Sequence, residues 1–385
     1  MTKPTLVRIT TVPLSLEKLL TGQLHFMRSF YNVIAVSSDN ERLKKFGELE
    51  KVTVFPIEMT RQITPLHDLF AVVRLFLFLK RTKPFIVHSH TPKAGIVGML
   101  AAKLAGVPNR LHTVAGMPLL EHVGIKRTIL DFVEKLTYSC ATKVYPNSFK
   151  MKDIIIQNQY CLPNKIKVLA NGSSNGIDTS YFDASHFSEE FKNNLKKDFG
   201  ILPTDFVFVF VGRIVSDKGI NELIAAFVAI QKQVNDVKLI LVGPFEHELD
   251  PLKEETQNQI QTNKSILSLG YQQDVRPYFS IAQALVFPSY REGFPNVVMQ
   301  SGAMGLPSIV TDINGCNEII EHTKNGFIIP VKNQKALFES MLNCIQNKEQ
   351  FSQMQQNARA MIVSRFDQQF MWESILQEYR SFDSK

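Results

Sequence analysis

The sequence predicts an α/β protein built from two doubly wound, Rossmann-like domains that face one another across a cleft. Three observations predict it. The chain has 385 residues, room for two cores of about 150–200 residues each. Short β-branched apolar runs alternate with runs of helical period, the pattern of βαβ units on a parallel sheet. That alternation breaks once, around residues 171–205, and then restarts. Hydrophobic residues make up 44% of the chain, enough apolar material for two cores.

In the first half, strands are expected in LVRIT from Leu6, VIAVSS from Val33, VTVFPI from Val52, FIVHSH from Phe85, RLHTV from Arg110, KVYPNS from Lys143 and IKVLAN from Ile166. They are short and apolar, as strands covered on both faces must be. Helical spacing marks residues 66–80, 93–105, 126–140 and 150–158. The turn-rich NGSSNGID and the polar stretch after it place the boundary at 190/191. The expected domains are therefore 1–190 and 191–365, with 366–385 a C-terminal helix available to pack back on the first. In the second half, strands are expected in FVFVFVGR from Phe206, KLILVG from Lys238, SILSLGY from Ser265, ALVFPS from Ala284 and PSIVTD from Pro307, with helices at 219–231 and 296–304. The chain reads as mostly helical after Pro330.

Composition narrows the class. No apolar stretch approaches the roughly 18 residues of a membrane span. MTKPTLVRITTV has no continuous apolar region or cleavage site, so no leader is expected. Cys140, Cys161, Cys316 and Cys344 are scattered, which suggests neither a metal site nor a disulfide framework and fits a reducing cytoplasm. The net charge of +7 is uneven: residues 1–190 hold 24 Lys and Arg against 15 Asp and Glu, the remainder 19 against 21. A basic first half suits phosphates or anionic lipid, or is simply solvated surface charge. The run RLFLFLKR in the helix at 66–80 and Lys126, Arg127 and Lys135 on the next basic helix are suited to an anionic membrane surface. An ordinary core helix with basic ends accounts for the same pattern.

Two segments carry chemistry. After the strand from Phe206 come Gly212, Arg213 and a short loop to Lys218-Gly219, then a helix. Gly212 permits a tight turn. Arg213 and Lys218 set two cations beside a helix N-terminus, where backbone N–H groups and the macrodipole favour an anion. Arg can grip phosphate oxygens in pairs and Lys acts as a point charge, which together suit a diphosphate. The second segment is Arg291-Glu292-Gly293-Phe294-Pro295-Asn296-Val297, between strand ALVFPS and a helix. Gly293 and Pro295 set a turn that leaves the N–H groups of Phe294, Asn296 and Val297 for an anion. Glu292 beside a phosphate site needs a partner of its own, and a sugar hydroxyl is one. Gln300, eight residues on, can donate to and accept from a ribose.

The pattern G-R-x4-K-G, E-G-F-P-N and A-M-x-x-G-L-P-S-I-V-T-D resembles the second domain of retaining GT-B glycosyltransferases of the family 4 type. It is most similar to bacterial enzymes of capsular and surface polysaccharide synthesis. TTVPLSLEKLLTGQLHF, VHSHTPKAGIVGMLAAKLAGVPNRLHTVAGMP and GSSNGID extend the resemblance over nearly the whole chain. It implies that Arg213 and Lys218 neutralise the donor diphosphate without a metal or cofactor, that Glu292 meets donor-sugar hydroxyls, and that Gly293, Phe294, Asn296 and Val297 offer backbone to sugar and phosphate. It places Gln300 at the ribose and Tyr271 at the nucleobase. Glu292, Arg213 and Lys218 are then the catalytic set. Front-face displacement with retention is the implied mechanism, driven by positioning and charge stabilisation.

Two departures stand out. The family signature has a second Glu where this chain has Gln300, which keeps hydrogen bonding and loses the charge. Many relatives carry His or Arg where this chain has Ala115. His112, within its strand, is expected to be structural. For the acceptor, the candidates are Gly22 and Gln23 in the first loop–helix region, and His90, Thr91 and Lys93 after strand FIVHSH, where His88 and His90 share a side. Helix capping and loop packing explain that last group equally well.

The expected partners are a sugar nucleotide, UDP-linked on resemblance, and a saccharide or polyprenyl-diphosphate-linked acceptor, at the cytoplasmic face of the membrane and with no nucleic acid. A sugar-nucleotide epimerase of the same fold lacks E-G-F-P-N as written here. A nicotinamide oxidoreductase would need G-x-G-x-x-G after the first strand, and it is missing. An inactive sugar-nucleotide-binding protein remains open because of Gln300 and Ala115.

Overall fold

A computed structural model describes residues 3–60, 62, 64–246 and 250–382. The backbone divides into two compact units, Met1–Gly176 with Gln368–Lys385, and Ile177–Asp367. The boundary expected at 190/191 lies inside the second unit. The chain changes units within NGSSNGID itself, and the polar helix that follows, Glu189–Asp198, packs on Arg276–Ile281 of the second unit.

The first unit holds strands β1 (Thr5–Ile9), β2 (Asn32–Ser37), β3 (Thr53–Pro56), β4 (Ile86–His90), β5 (Asn109–Val114) and β6 (Lys143–Pro146). They pair in parallel in the order β3-β2-β1-β4-β5-β6. The second unit holds β7 (Phe206–Val211), β8 (Val237–Val242), β9 (Ile266–Ser268), β10 (Ala284–Phe287), β11 (Ser308–Thr311) and β12 (Gly326–Ile329). Its order, β12-β11-β10-β7-β8-β9, repeats the first topology. In each sheet the order reverses between the first and fourth strands, and such switch points bind ligands at the strands' C-terminal ends.

Two strand expectations need correction. IKVLAN makes only an isolated bridge, Val144 to Ile166, because Ala170, Gly172 and Ser173 turn the chain away with positive φ. The strand Gly326–Ile329 was not anticipated.

Alternation sorts the first unit's sheet faces. Val7, Ile9, Val36 and Val87 pack with Leu75, Leu79 and Val97 on one side. Leu6, Ala35, Ile86 and Leu111 pack on the other with Leu16, Leu24, Met371 and Ile375. The last two lie on the helix Gln368–Arg380, which belongs to this unit.

Arg8 points to that second face and is fully buried. It donates to Tyr379 Oη (2.9 Å) and Gln23 Oε1 (2.6 Å), and lies 2.8 Å from His90 Nε2. Tyr379 Oη also meets His88 Nδ1 at 2.5 Å. Tyr379→Phe removes the partner shared by Arg8 and His88. Urea denaturation should show a loss of about 2 kcal/mol, the cost of a buried bond to a charged group.

Burial holds His88 and His90 well below the ordinary imidazole range, with neighbouring Arg8 adding to it in both, and lowers His112 to about 4. An imidazole kept neutral in the fold but free to charge when unfolded favours unfolding as acid is added. Stability measured by urea denaturation should therefore fall as pH drops below about 6.5, with no such loss from these groups above it.

Candidate active site

In the second unit the loops after β7 and β10 meet at the switch point. Lys218 follows β7 on a short 3-10 turn, Ser216–Lys218. Glu292 follows β10. Lys218 Nζ donates to Glu292 Oε1 at 2.6 Å, with the two side chains 13% and 18% exposed. Ser289, itself buried, donates to the same oxygen at 2.9 Å. The partner that Glu292 requires beside an anion site is thus Lys218 in the free protein.

Arg213 is held in the same way. Its Nη1 meets Glu246 Oε2 at 2.6 Å. The bridge Ile214 to Phe245 ties the two loops together at that point. Burial works against the Arg213 charge, but Glu246, with Asp217 and Glu292 behind it, outweighs burial and raises its pKa. Arg291 pairs with Asp217 at 3.1 Å. Both cations expected on a diphosphate therefore lie at this edge, each on a carboxylate.

The E-G-F-P-N turn is fixed from outside. Asn314 Nδ2 donates to Gly293 O at 2.5 Å. Gly315 lies under it: a Cβ there would sit 2.7 Å from Gly293 O. Pro295 precedes the helix Asn296–Ala303. That leaves the first-turn N–H groups of Asn296 and Val297 without an intrahelical carbonyl. Gln300 lies in the helix's second turn, half-buried, while Tyr271 is 69% exposed. Gly212 ends β7, and its N–H donates to Val242 O. Ser289, Glu246, Asn314 and Gly315 were missed. Only the Asn-Gly pair carried a turn signal; the others act through contacts the sequence does not display. Cys316 lies near Glu292 and Lys218. Burial, reinforced by Glu292, pushes its thiol well up, so it is no thiolate nucleophile.

In the first unit the acceptor candidates separate into two groups. Gln23 and His90 are buried and engaged by Arg8, so they stand behind the surface and not on it. Gly22 begins a short helix with φ of 77° and packs under Trp372. Thr91 and Lys93 do reach an accessible wall. Thr91 has φ of 74°, strained for a β-branched residue, and is held by Thr11 Oγ1 at 2.8 Å. Lys93 pairs with Asp68 at 2.5 Å. His112 packs its ring against Gly95 and meets Ser89 Oγ at 2.8 Å, a structural placement.

The fold and this cation-rich edge define a GT-B class protein. The family model for Glycosyl transferases group 1 matches residues 191–361, and that for the Glycosyl transferase 4-like domain matches residues 27–172. The chain is 34% identical over 366 residues, 94% of each sequence, to the capsular polysaccharide biosynthesis glycosyltransferase CapM of Staphylococcus aureus. It is 29% identical to the UDP-Gal:alpha-D-GlcNAc-diphosphoundecaprenol alpha-1,3-galactosyltransferase of Escherichia coli, over 80% of this chain and 78% of that one. Among solved structures, Anabaena Alr3699/HepE in complex with UDP shares the fold, with a TM-score of 0.81 and 20% identity over 98% of this chain and all of that one. The chain belongs to the group 1 glycosyltransferases, and it is an enzyme of that family.

Proposed function

We propose that this glycosyltransferase moves a sugar from a UDP-sugar, with retention of anomeric configuration, to a polyprenyl-diphosphate-linked saccharide during surface polysaccharide synthesis. One observation carries the reading. Two cations, Arg213 and Lys218, and a carboxylate, Glu292, share the switch-point edge of the second unit, with each cation on a carboxylate it can exchange for a diphosphate. In that exchange Lys218 and Arg213 take up phosphate oxygens, and Glu292 is freed to accept from sugar hydroxyls. The N–H groups of Asn296 and Val297 add positive potential without moving. Stabilising the departing diphosphate in a partly desolvated site is the main catalytic contribution. Gln300 and Tyr271 serve the ribose and base.

The names of the S. aureus and E. coli relatives, one capsular and one acting on a diphosphoundecaprenol-linked sugar, support the acceptor class. The HepE complex supports UDP. No described helix is long and apolar enough to cross a membrane. The helix Pro65–Thr82 turns Ala71, Val72, Leu75 and Leu79 to the core and exposes Leu66, Leu69, Phe70, Val73 and Leu77. The helix Gly124–Cys140 exposes Ile125, Ile129 and Phe132. Both pack against Pro92–Leu104 between them. With Lys80, Arg81, Lys126 and Lys135 alongside, they suit peripheral docking on an anionic leaflet.

A thermal-shift screen of UDP-, GDP- and dTDP-sugars tests the donor. At about 100-fold excess over Kd, the UDP-sugar should stabilise the protein by roughly 2.7 kcal/mol. Stabilisation by a GDP- or dTDP-sugar alone would overturn the nucleotide assignment, and a product of inverted configuration by NMR would overturn retention.

A further inference from the structure

The loop between β10 and the helix Asn296–Ala303 carries Ser289 and Glu292, with Tyr290 between them. Neutral bonds fix this loop on the β11 side: Thr311 Oγ1 donates to Ser289 O, and Asn314 Nδ2 to Gly293 O. On the β7 side two ion pairs reach the loop that bears the cations, Lys218 to Glu292 and Arg291 to Asp217. The first is the pair that a donor diphosphate opens. The second is 3.1 Å long with the Arg291 side chain 52% exposed, and exposed pairs of that kind hold little.

Tyr290 ties the same two loops through neutral donors. Its backbone N–H donates to Asp217 O at 2.8 Å. Its hydroxyl donates to Glu222 Oε2 at 2.7 Å. Lys332, in the loop after β12, sets its Nζ 4.8 Å from the centroid of the ring. Glu222 lies in the first turn of the helix Ile220–Gln231, just after the Lys218-Gly219 turn. The hydroxyl bond therefore fastens the Glu292 loop to the rigid end of the Lys218 loop. Burial, and then Glu222, push the Tyr290 phenol up, so it stays protonated and able to donate near neutrality. The helix macrodipole accounts for an acidic residue in that first turn, but not for the tyrosine aimed at it.

We propose that Tyr290 is a positioning residue for the donor sugar: through Glu222 it keeps Glu292 in place once Lys218 has left Glu292 for the diphosphate. The inference rests on the exchange proposed above and adds what holds the loop after it. In the free protein the Lys218–Glu292 pair masks the loss of the Tyr290 hydroxyl. In the UDP-sugar complex that pair is open, so without the hydroxyl Glu292 drifts from the sugar. The diphosphate itself is gripped by Arg213, Lys218 and backbone N–H groups, and its binding does not depend on the hydroxyl.

Isothermal titration of the full chain tests this, with UDP as one probe and UDP-glucose, UDP-galactose and their N-acetylated counterparts as the others. Tyr290→Phe keeps the ring beside Lys332 and removes only the hydroxyl. It should leave UDP affinity within about twofold of wild type and weaken the tightest UDP-sugar about three- to tenfold, the worth of one hydrogen bond. Glu222→Ala should do the same, and the double variant should be no worse than either alone. Glu222→Gln should keep most of the sugar affinity, because its carbonyl still accepts from the phenol. A hydroxyl that serves only stability would lower the active fraction and the melting temperature and leave both dissociation constants unchanged. If the wild type binds none of the UDP-sugars, the donor reading fails and this inference with it. If the wild type binds one, and Tyr290→Phe keeps the wild-type ratio of UDP-sugar to UDP affinity, the role of Tyr290 fails alone. Additive losses in the double variant would overturn the route through Glu222. Should Tyr290→Phe not fold, the same ratio measured in Glu222→Ala decides.

Discussion

Lys218→Ala is expected to lower kcat/KM for sugar transfer by about 10²–10³, the usual cost of removing one preorganised charge stabiliser. The free-state geometry sharpens this expectation into a test of roles. Lys218 and Glu292 are each other's counter-ion at 2.6 Å, so the donor diphosphate competes with Glu292 for the same ammonium group. Lys218→Ala removes the group both of them use. It should weaken UDP and UDP-sugar alike. Glu292→Gln removes only the competitor. It should tighten UDP, which has no sugar, by about three- to tenfold, a range set by the modest worth of a partly exposed pair. Transfer should nevertheless fall, because the amide no longer accepts charge-assisted bonds from sugar hydroxyls. The two substitutions therefore move UDP affinity in opposite directions while both depress turnover. Isothermal titration with UDP, beside steady-state kinetics, reads both. Weaker UDP binding in Glu292→Gln would mean that Glu292 touches the nucleotide, and its assignment to the sugar would fall.

That Arg213, Lys218 and Glu292 lie at one sheet edge was legible in the sequence, for a local reason. Arg213 and Lys218 follow one strand and Glu292 follows another, and both loops end at a switch point that the strand–helix alternation already implies. What was not legible is what each charge rests on. Glu246 lies in the loop after β8, and Ser289 is hidden as the last residue of an apolar run. The first unit shows the same limit more strongly. Arg8 reads as a polar interruption in LVRIT, yet it anchors Tyr379, 371 positions away, together with Gln23 and His90. Gln23 and His90, two residues expected at the acceptor surface, are buried beside it.

Gly219→Ala should be a severely damaging single-methyl change at the donor edge. Gly219 caps the helix Ile220–Gln231 with φ of 72°, and a Cβ there would stand 2.2 Å from Pro288 O. Two penalties combine. The left-handed conformation costs an L-residue roughly 1–2 kcal/mol by itself. The carbonyl that blocks the methyl belongs to backbone just after β10, so relief requires moving the loop that carries Ser289 and Glu292 away from Lys218. A total loss above about 3 kcal/mol is expected, which would lower the melting temperature of a unit of this size by roughly 10 °C. Gly200→Ala separates the two terms. Gly200 has φ of 63° in the same unit, with nothing within 4 Å of its built Cβ, so it should show the conformational cost alone, about 1 kcal/mol. UDP-sugar affinity distinguishes them again: Gly219→Ala should weaken it, since the shifted loop separates Lys218 from Glu292, and Gly200→Ala should leave it unchanged. Equal losses of stability in the two variants would show that the approach of Pro288 to Gly219 does not hold the site together.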